Sequence, residues 1–331
     1  MPDSSERPYK HILVCRTDAV GDVILVMPLC GMIKKYYPDA KVSLLGRTYT
    51  KPVAACCIHI DGFVNMDDWN GKSDAEIAEI LNDLSIDTVL LLPAYKRLAY
   101  IMKFAGIKFR VGTATRWFHW LYCNRLVWLS RKNSPLHEAQ LHFKLLKGIG
   151  INESPSKEEL FQYYGLSNIE QLEDRYKELL SESKFNLVLH PKSGQNAPEW
   201  SLDHYSAFIE LADKNKFNIL ISGSVKEKDE LASWLKKHKN QVTDITGIFS
   251  LSQFIAFVSN CDGLLACSTG PVHIAAATGI HAMGLYPTEP FRNAIRWAPI
   301  GAKAEHISSS GSNLSDIEPQ LVYSKIRSWE K

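Results

Sequence analysis

The stretch Gly263-Leu-Leu-Ala-Cys-Ser-Thr-Gly-Pro-Val-His-Ile-Ala-Ala-Ala-Thr-Gly279 decides the fold. It reads as strand, tight turn and helix. Gly263 to Cys267 is a short apolar run with little polar interruption, the pattern of a parallel strand buried on both faces. Ser268 and Thr269 are good N-cap residues. Gly270 closes the turn, and Pro271 suits the first helical position, where its missing N–H leaves nothing unpaired. Val272 to Ala277 favours helix, with small residues that allow close packing, and Gly279 can end it. The segment therefore aims a helix N-terminus out of the carboxyl end of a strand. Unsatisfied N–H groups and the positive end of the helix dipole make such a corner an anion site, with phosphate the usual occupant. The plainer reading is an ordinary strand–helix corner.

The first half of the chain uses the same pattern. His11 to Cys15 is a first strand, followed by the polar turn Arg16-Thr-Asp-Ala-Val-Gly-Asp22. Val23 to Tyr37 has helical spacing and stops at Pro38. Asp22 falls at the opening of that helix, where a carboxylate stabilises the start. It also falls at the carboxyl end of a strand, where open α/β sheets bind ligands and a carboxylate can serve as a general base. The turn lacks the G-x-G-x-x-G spacing of a dinucleotide fingerprint. Further strands are expected at 41–45, 63–66, 87–92 and 109–111, with helices at 74–84, 96–105 and 136–146 between them. That alternation predicts a parallel sheet covered by helices on both faces.

The segment Tyr95 to Lys132 carries Lys96, Arg97, Lys103, Lys108, Arg110, Arg116, Arg125, Arg131 and Lys132, interleaved with aromatic residues and without any Asp or Glu. Such a surface can meet nucleic acid, an anionic membrane or a phosphorylated acceptor. The plain alternative is a set of core aromatics beside solvated cations. Nucleic acid is the weakest of these readings, because no known binding module surrounds the stretch.

Composition sets the outer bounds. The chain has 331 residues, enough for two domains of ordinary size, and its formal net charge of +2 gives no support to a nucleic-acid partner. Residues 1–10 are polar and lack the apolar core of a signal peptide. No apolar run is long enough to span a bilayer. The 7 cysteines are scattered without a C-x-x-C pair, as expected of buried free thiols in a reducing compartment rather than a zinc site.

Gly148 to Lys157 is rich in chain breakers and suits an interdomain connection, followed by a charged, mostly helical segment to Leu180. A second α/β run opens with Asn186 to His190. Its loop offers Lys192, Ser193 and the backbone around Gly194, a cation and N–H donors that suit a diphosphate. A helix is expected at 201–214, a strand at 217–222, and Glu227 in the following turn. Glu227 can accept from ribose hydroxyls or stand as a solvated first-turn acid. An amphipathic segment at 250–259, a strand at 282–285 and a final helix at 316–329 complete the reading.

Three blocks resemble glycosyltransferase family 9, the ADP-heptose:lipopolysaccharide heptosyltransferases. They are Ile12-Leu-Val-Cys-Arg-Thr-Asp-Ala-Val-Gly-Asp-Val23 with Pro28 and Pro38 behind it, His190-Pro-Lys-Ser-Gly194 with Trp200, and Ser268-Thr-Gly-Pro-Val-His-Ile-Ala-Ala-Ala277. The resemblance implies an α/β GT-B fold of two Rossmann-like domains whose parallel sheets face across a cleft. Residues 1–165 would form the acceptor domain and 166–315 the nucleotide-sugar domain, with 316–331 a helix packing back on the first. It implies inverting, metal-independent transfer without a cofactor, and Asp22 as the catalytic base. Thr269, Gly270 and His273 match the donor-phosphate motif; Ser268, Pro271, Lys192, Ser193, Gly194 and Glu227 would join them in binding the donor. Arg16, Thr17 and Arg116 would meet the acceptor. Two positions depart from the family pattern: Ser268 replaces an Asp, and Pro198 replaces a Lys whose charge Lys192 is expected to supply. The implied partners are a nucleotide sugar, with ADP-heptose expected, and a lipid-linked or phosphorylated glycan of the lipopolysaccharide core, with no nucleic acid. The implied place is the cytoplasm, at the inner-membrane surface. A nucleotide-sugar epimerase of the same architecture, or a non-catalytic nucleotide-sugar-binding protein, are the competing readings.

Overall fold

The apolar runs become strands. In the computed structural model, which describes residues 9–92, 95–132, 134–194 and 197–329, the first set comprises β1 (His11–Cys15), β2 (Lys41–Gly46), β3 (Gly62–Asn65), β4 (Thr88–Leu91), β5 (Phe109–Thr113) and β6 (Arg125–Val127). All pair in parallel, in the order β3-β2-β1-β4-β5-β6. The second set comprises β7 (Phe185–His190), β8 (Phe217–Ile221), β9 (Thr243–Asp244), β10 (Gly263–Cys267), β11 (His281–Tyr286) and β12 (Ala304–Ser308). These too are parallel, in the order β12-β11-β10-β7-β8-β9. Counted from its own first strand, each sheet has the doubly wound order 3-2-1-4-5-6, so each reverses direction beside that strand. The chain is two Rossmann-like α/β units.

The units divide at Met1–Asn168 and Ile169–Lys331. The expected step came after residue 165. The bridge between Cys57 and Leu166 and the bond from the Asn168 N–H to the Cys56 carbonyl hold the intervening residues on the first unit. The final helix, Pro319–Arg327, corrects a second expectation. It packs against the helix Leu202–Leu211 of the second unit, and Val322, Ile326 and Trp329 lie in that unit's core. Its apolar face is filled there, and the Trp329 indole donates to Glu305 at 2.7 Å.

Other differences have local causes. The helix expected over 23–37 is two segments, Val20–Ile24 and Met27–Tyr36, with Pro28 starting the second in its first turn. The segment to Leu180 holds only a 3-10 stretch, Glu158–Tyr163, and one turn of helix, Asp174–Lys177. Its charges have few apolar partners to fix a helical face. The edge strands β6, β9 and β12 are short or half-exposed and carry little apolar signal.

The docking of the last helix is testable. Ile326 is fully buried, so Ile326→Ala should cost the second unit about 2–5 kcal/mol. In urea unfolding followed by hydrogen exchange, protection should fall in residues 185–329 and hold in residues 9–168. Equal loss in both would contradict the packing.

Candidate active site

In the first unit, β1 delivers Arg16 to the sheet's carboxyl end, beside the strand-order reversal between β1 and β4. Asp22 occupies the third position of the helix Val20–Ile24, where its Oδ2 accepts the Ala19 N–H at 3.3 Å. Its Oδ1 accepts from the Arg16 guanidinium. The Asp18 carboxylate lies 3.3 Å from Arg16 Nε. Arg16 is 5% exposed. Burial opposes its charge, but Asp22, Asp18 and Glu138 outweigh that and hold its pKa above the ordinary arginine value. The guanidinium is thus a fixed counter-ion, and the Asp22 side chain keeps 18% exposure. Tyr95 donates to Asp18 Oδ1 at 2.8 Å and Tyr49 to the Asp18 carbonyl at 2.9 Å, so two exposed phenols brace the loop.

Thr17 is buried next to Arg16. Arg116 is exposed as the N-cap residue of the helix Trp117–Tyr122, after β5. Of the residues assigned to an acceptor, then, Arg116 is the exposed one, while Arg16 is committed to carboxylates.

Glu138 was not singled out by the sequence. Its side chain is 1% exposed, 2.8 Å from Arg131 Nε and 3.3 Å from His142 Nε2. Burial would raise its pKa, but His142, Arg131 and Arg16 hold it far below the ordinary carboxylate range. An acid and a histidine four residues apart on one short helix was the available signal.

In the second unit the crevice lies where β7 neighbours β10. His190 pairs in register with Ala266, and Leu189 with Ile221, so the loops after β7, β8 and β10 emerge together. The helix Gly270–Thr278 begins one residue after its cap, Thr269, with Pro271 in the first turn and Gly279 ending it at φ 86°. The Thr269 side chain accepts no amide of that turn; its hydroxyl donates to the Cys267 carbonyl at 3.4 Å. The amide-rich end is therefore left for an external anion. Ser268 to Pro271 are half-buried, whereas His273 is buried, one turn inside.

The loop after β7 is clipped to this corner. The Trp200 N–H donates to Cys267 Sγ at 3.2 Å and its indole N–H to the Ile317 carbonyl at 2.9 Å. Gly194 takes φ 57°, the left-handed turn a side chain resists. A cavity of about 260 Å³ is lined by Lys192, Ser193, Gly194, Glu199, Glu227 and Glu230, among others. It brings the cation-bearing loop and Glu227 together. Lys192 is engaged there by Glu199 at 2.7 Å and Glu230 at 3.2 Å. Glu199 also accepts the Ser193 N–H at 2.7 Å, so it organises the loop, a role hidden in sequence by its place beside Trp200. Glu227 Oε2 accepts the Ser224 N–H at 2.7 Å in a capping box, which leaves Oε1 for a ligand. The cavity carries more acid than base. Among the described residues no group of three or more His, Cys, Asp or Glu is arranged to hold a metal ion.

Known proteins resemble this chain in sequence and in fold. The model of glycosyltransferase family 9 (heptosyltransferase) matches residues 75–326. The chain is 25% identical over 309 residues to the lipopolysaccharide core heptosyltransferase OpsX of Haemophilus influenzae, covering 90% of this chain and 84% of that one. Its fold is similar to that of the ADP-heptose lipopolysaccharide heptosyltransferase II of E. coli, with TM-score 0.77, 18% identity and coverage of 97% and 98%. It is also similar to the E. coli heptosyltransferase WaaC solved with ADP, with TM-score 0.75, 15% identity and coverage of 96% and 99%.

His190 generates a pH prediction. Burial pushes its pKa down from 6.5 to about 4, with Glu227 and Glu199 opposing in part. The unfolded chain binds this proton near 6.5 and the folded chain only near 4, so the neutral imidazole's contribution is complete above pH 6.5 and is lost as pH falls toward 4. The stability gap between the wild type and His190→Gln should narrow by about 2 kcal/mol from about pH 7 to about pH 5 in urea titrations. A gap independent of pH would show that the imidazole is not held neutral.

Proposed function

Because the chain belongs to glycosyltransferase family 9, and is thus a glycosyltransferase of the heptosyltransferase family of lipopolysaccharide core biosynthesis, we propose that it moves a heptose from ADP-heptose to a lipopolysaccharide core acceptor. The observation that carries the donor half is the uncapped helix end at Thr269–Pro271, joined through Trp200 to the acid-lined cavity at Lys192 and Glu227. A diphosphate placed at the helix end would put its adenosine ribose within reach of Glu227. The name of WaaC solved with ADP points the same way for that relative.

The chemistry is a direct displacement. Asp22 takes the proton of an acceptor hydroxyl as that oxygen bonds to the anomeric carbon. The bond from that carbon to the phosphate oxygen breaks, and ADP leaves with the electron pair. Configuration inverts. The leaving charge is met by the helix-end amides and Lys192, so no metal or cofactor is required, and such preorganised stabilisation is usually the largest contribution. Arg16 keeps Asp22 oriented until the hydroxyl arrives. The acceptor, a lipid-linked or phosphorylated core glycan, would be used on the cytoplasmic face of the inner membrane, with Arg116 one of its contacts. The family match favours transfer over epimerisation or binding alone.

Asp22→Asn tests the base. Acceptor-dependent ADP release should drop ~10²–10⁴-fold, while ADP binding measured by calorimetry stays within about twofold. Near-normal turnover in this variant would remove Asp22 from the chemistry. Glu227→Gln should instead weaken ADP binding by about tenfold, the value of one charge-assisted hydrogen bond, and unchanged binding would place the ribose elsewhere.

A further inference from the structure

Within the first unit, a group of large apolar side chains stands in solvent. Trp117 is 64% exposed, Trp120 63%, Trp128 75%, Leu121 55% and Phe104 52%. They stand on neighbouring elements. Trp117, Trp120 and Leu121 share a face of the helix Trp117–Tyr122, at spacings of three and four. That helix packs against the helix Lys96–Phe104, which supplies Phe104. Trp120 donates its indole N–H to the Ala114 carbonyl at 2.9 Å, and the Ala114 N–H donates to the Val127 carbonyl at 2.8 Å, which places Trp128 next in line.

Cations frame these side chains. Lys96 Nζ lies 5.1 Å from the Trp117 ring centre, and Lys103 donates to the Leu121 carbonyl at 2.9 Å. Lys108, Arg116 and Lys132 are also exposed, and no acid occurs from Tyr95 to Lys132. Exposed tryptophans are rare on a soluble surface, and three grouped together mark a contact site. Indole rings ringed by lysine and arginine match the chemistry of a bilayer's headgroup layer, where Trp settles and anionic lipids attract the cations.

The position supports the same partner. Thr113 and Val127 end β5 and β6, which run parallel to β1 through β4. The segments carrying Trp117, Trp120 and Trp128 therefore leave the sheet at the end that carries Asp22. Tyr95, at the start of the basic segment, is bonded to Asp18 of the Asp22 loop. We propose that this tryptophan and lysine surface of the first unit docks the protein on an anionic phospholipid bilayer, with the Asp22 end of the sheet turned toward it. The proposal rests on the reading of the acceptor as lipid-linked, and it explains how such an acceptor reaches Asp22 without leaving the membrane.

The test is co-sedimentation of the full chain with vesicles of phosphatidylethanolamine and phosphatidylglycerol, against vesicles of phosphatidylcholine alone. The wild type should bind the anionic vesicles, less at high salt, with a blue shift of tryptophan emission and quenching by brominated lipid. A Trp117→Ser, Trp120→Ser, Trp128→Ser variant and a Lys96→Glu, Lys103→Glu variant should each lose about tenfold in affinity or more. Circular dichroism and thermal melting check that both are folded; should the triple variant not fold, the charge variant carries the test. Turnover on a deacylated, water-soluble acceptor should be unchanged in both. The proposal is overturned if the wild type ignores anionic vesicles, if both lipid compositions bind it equally, or if the folded variants bind like the wild type. It is also overturned if the surface is protected by self-association or by RNA in place of lipid. Loss of turnover on the soluble acceptor in the wild type, with vesicle binding intact, would count against the transferase reading and leave the surface standing.

Discussion

A parallel sheet whose strand order reverses must open a crevice at the carboxyl ends of the two strands on either side of the reversal, because the connections there leave toward opposite faces. Both units of this chain obey that constraint, at β1/β4 and at β7/β10. The residues proposed as base and as the seat of the leaving phosphate follow from it. Asp22 lies just past the end of β1. Lys192 and Ser193 lie past β7, and Thr269 to Pro271 past β10. The helix that starts at Gly270 adds an amide-rich end, and Trp200 locks the neighbouring loop to it through Cys267.

Charge in both crevices is held ready by neutralisation. Arg16 is buried between Asp22 and Asp18, and Lys192 is held by Glu199 and Glu230. Neither cation is loose, so neither must be ordered when a ligand arrives, and ordering is what binding ordinarily costs. The two clusters differ in one respect. Arg16 is sealed among its carboxylate partners. Lys192 is half-buried on a cavity wall, where an incoming phosphate can compete for it.

Much of this was legible in the sequence for a physical reason: central parallel strands are buried on both faces and read as continuous apolar runs. Hence β1, β4, β7 and β10, and with them the position of Asp22 and of the Thr269 corner, stood out. The edge strands β6, β9 and β12 did not, because half their residues face solvent. The final helix was assigned to the wrong unit, since an amphipathic helix reports that it has an apolar face and not which surface receives it. Lys192 was visible as a cation in a loop, but its partners Glu199 and Glu230 were not, because their pairing depends on tertiary approach. Glu138 was missed for the same reason: burial of an acid leaves no mark in composition.

The account stands or falls on where the donor sits in the second unit. Hydrogen exchange of the full chain with and without ADP reads that location directly. The account predicts slowed exchange confined to three segments, residues 190–194, residues 223–228 and residues 268–273. Protection that falls instead at the opposite end of the same sheet, around Lys184, His281 and Lys303, would contradict it.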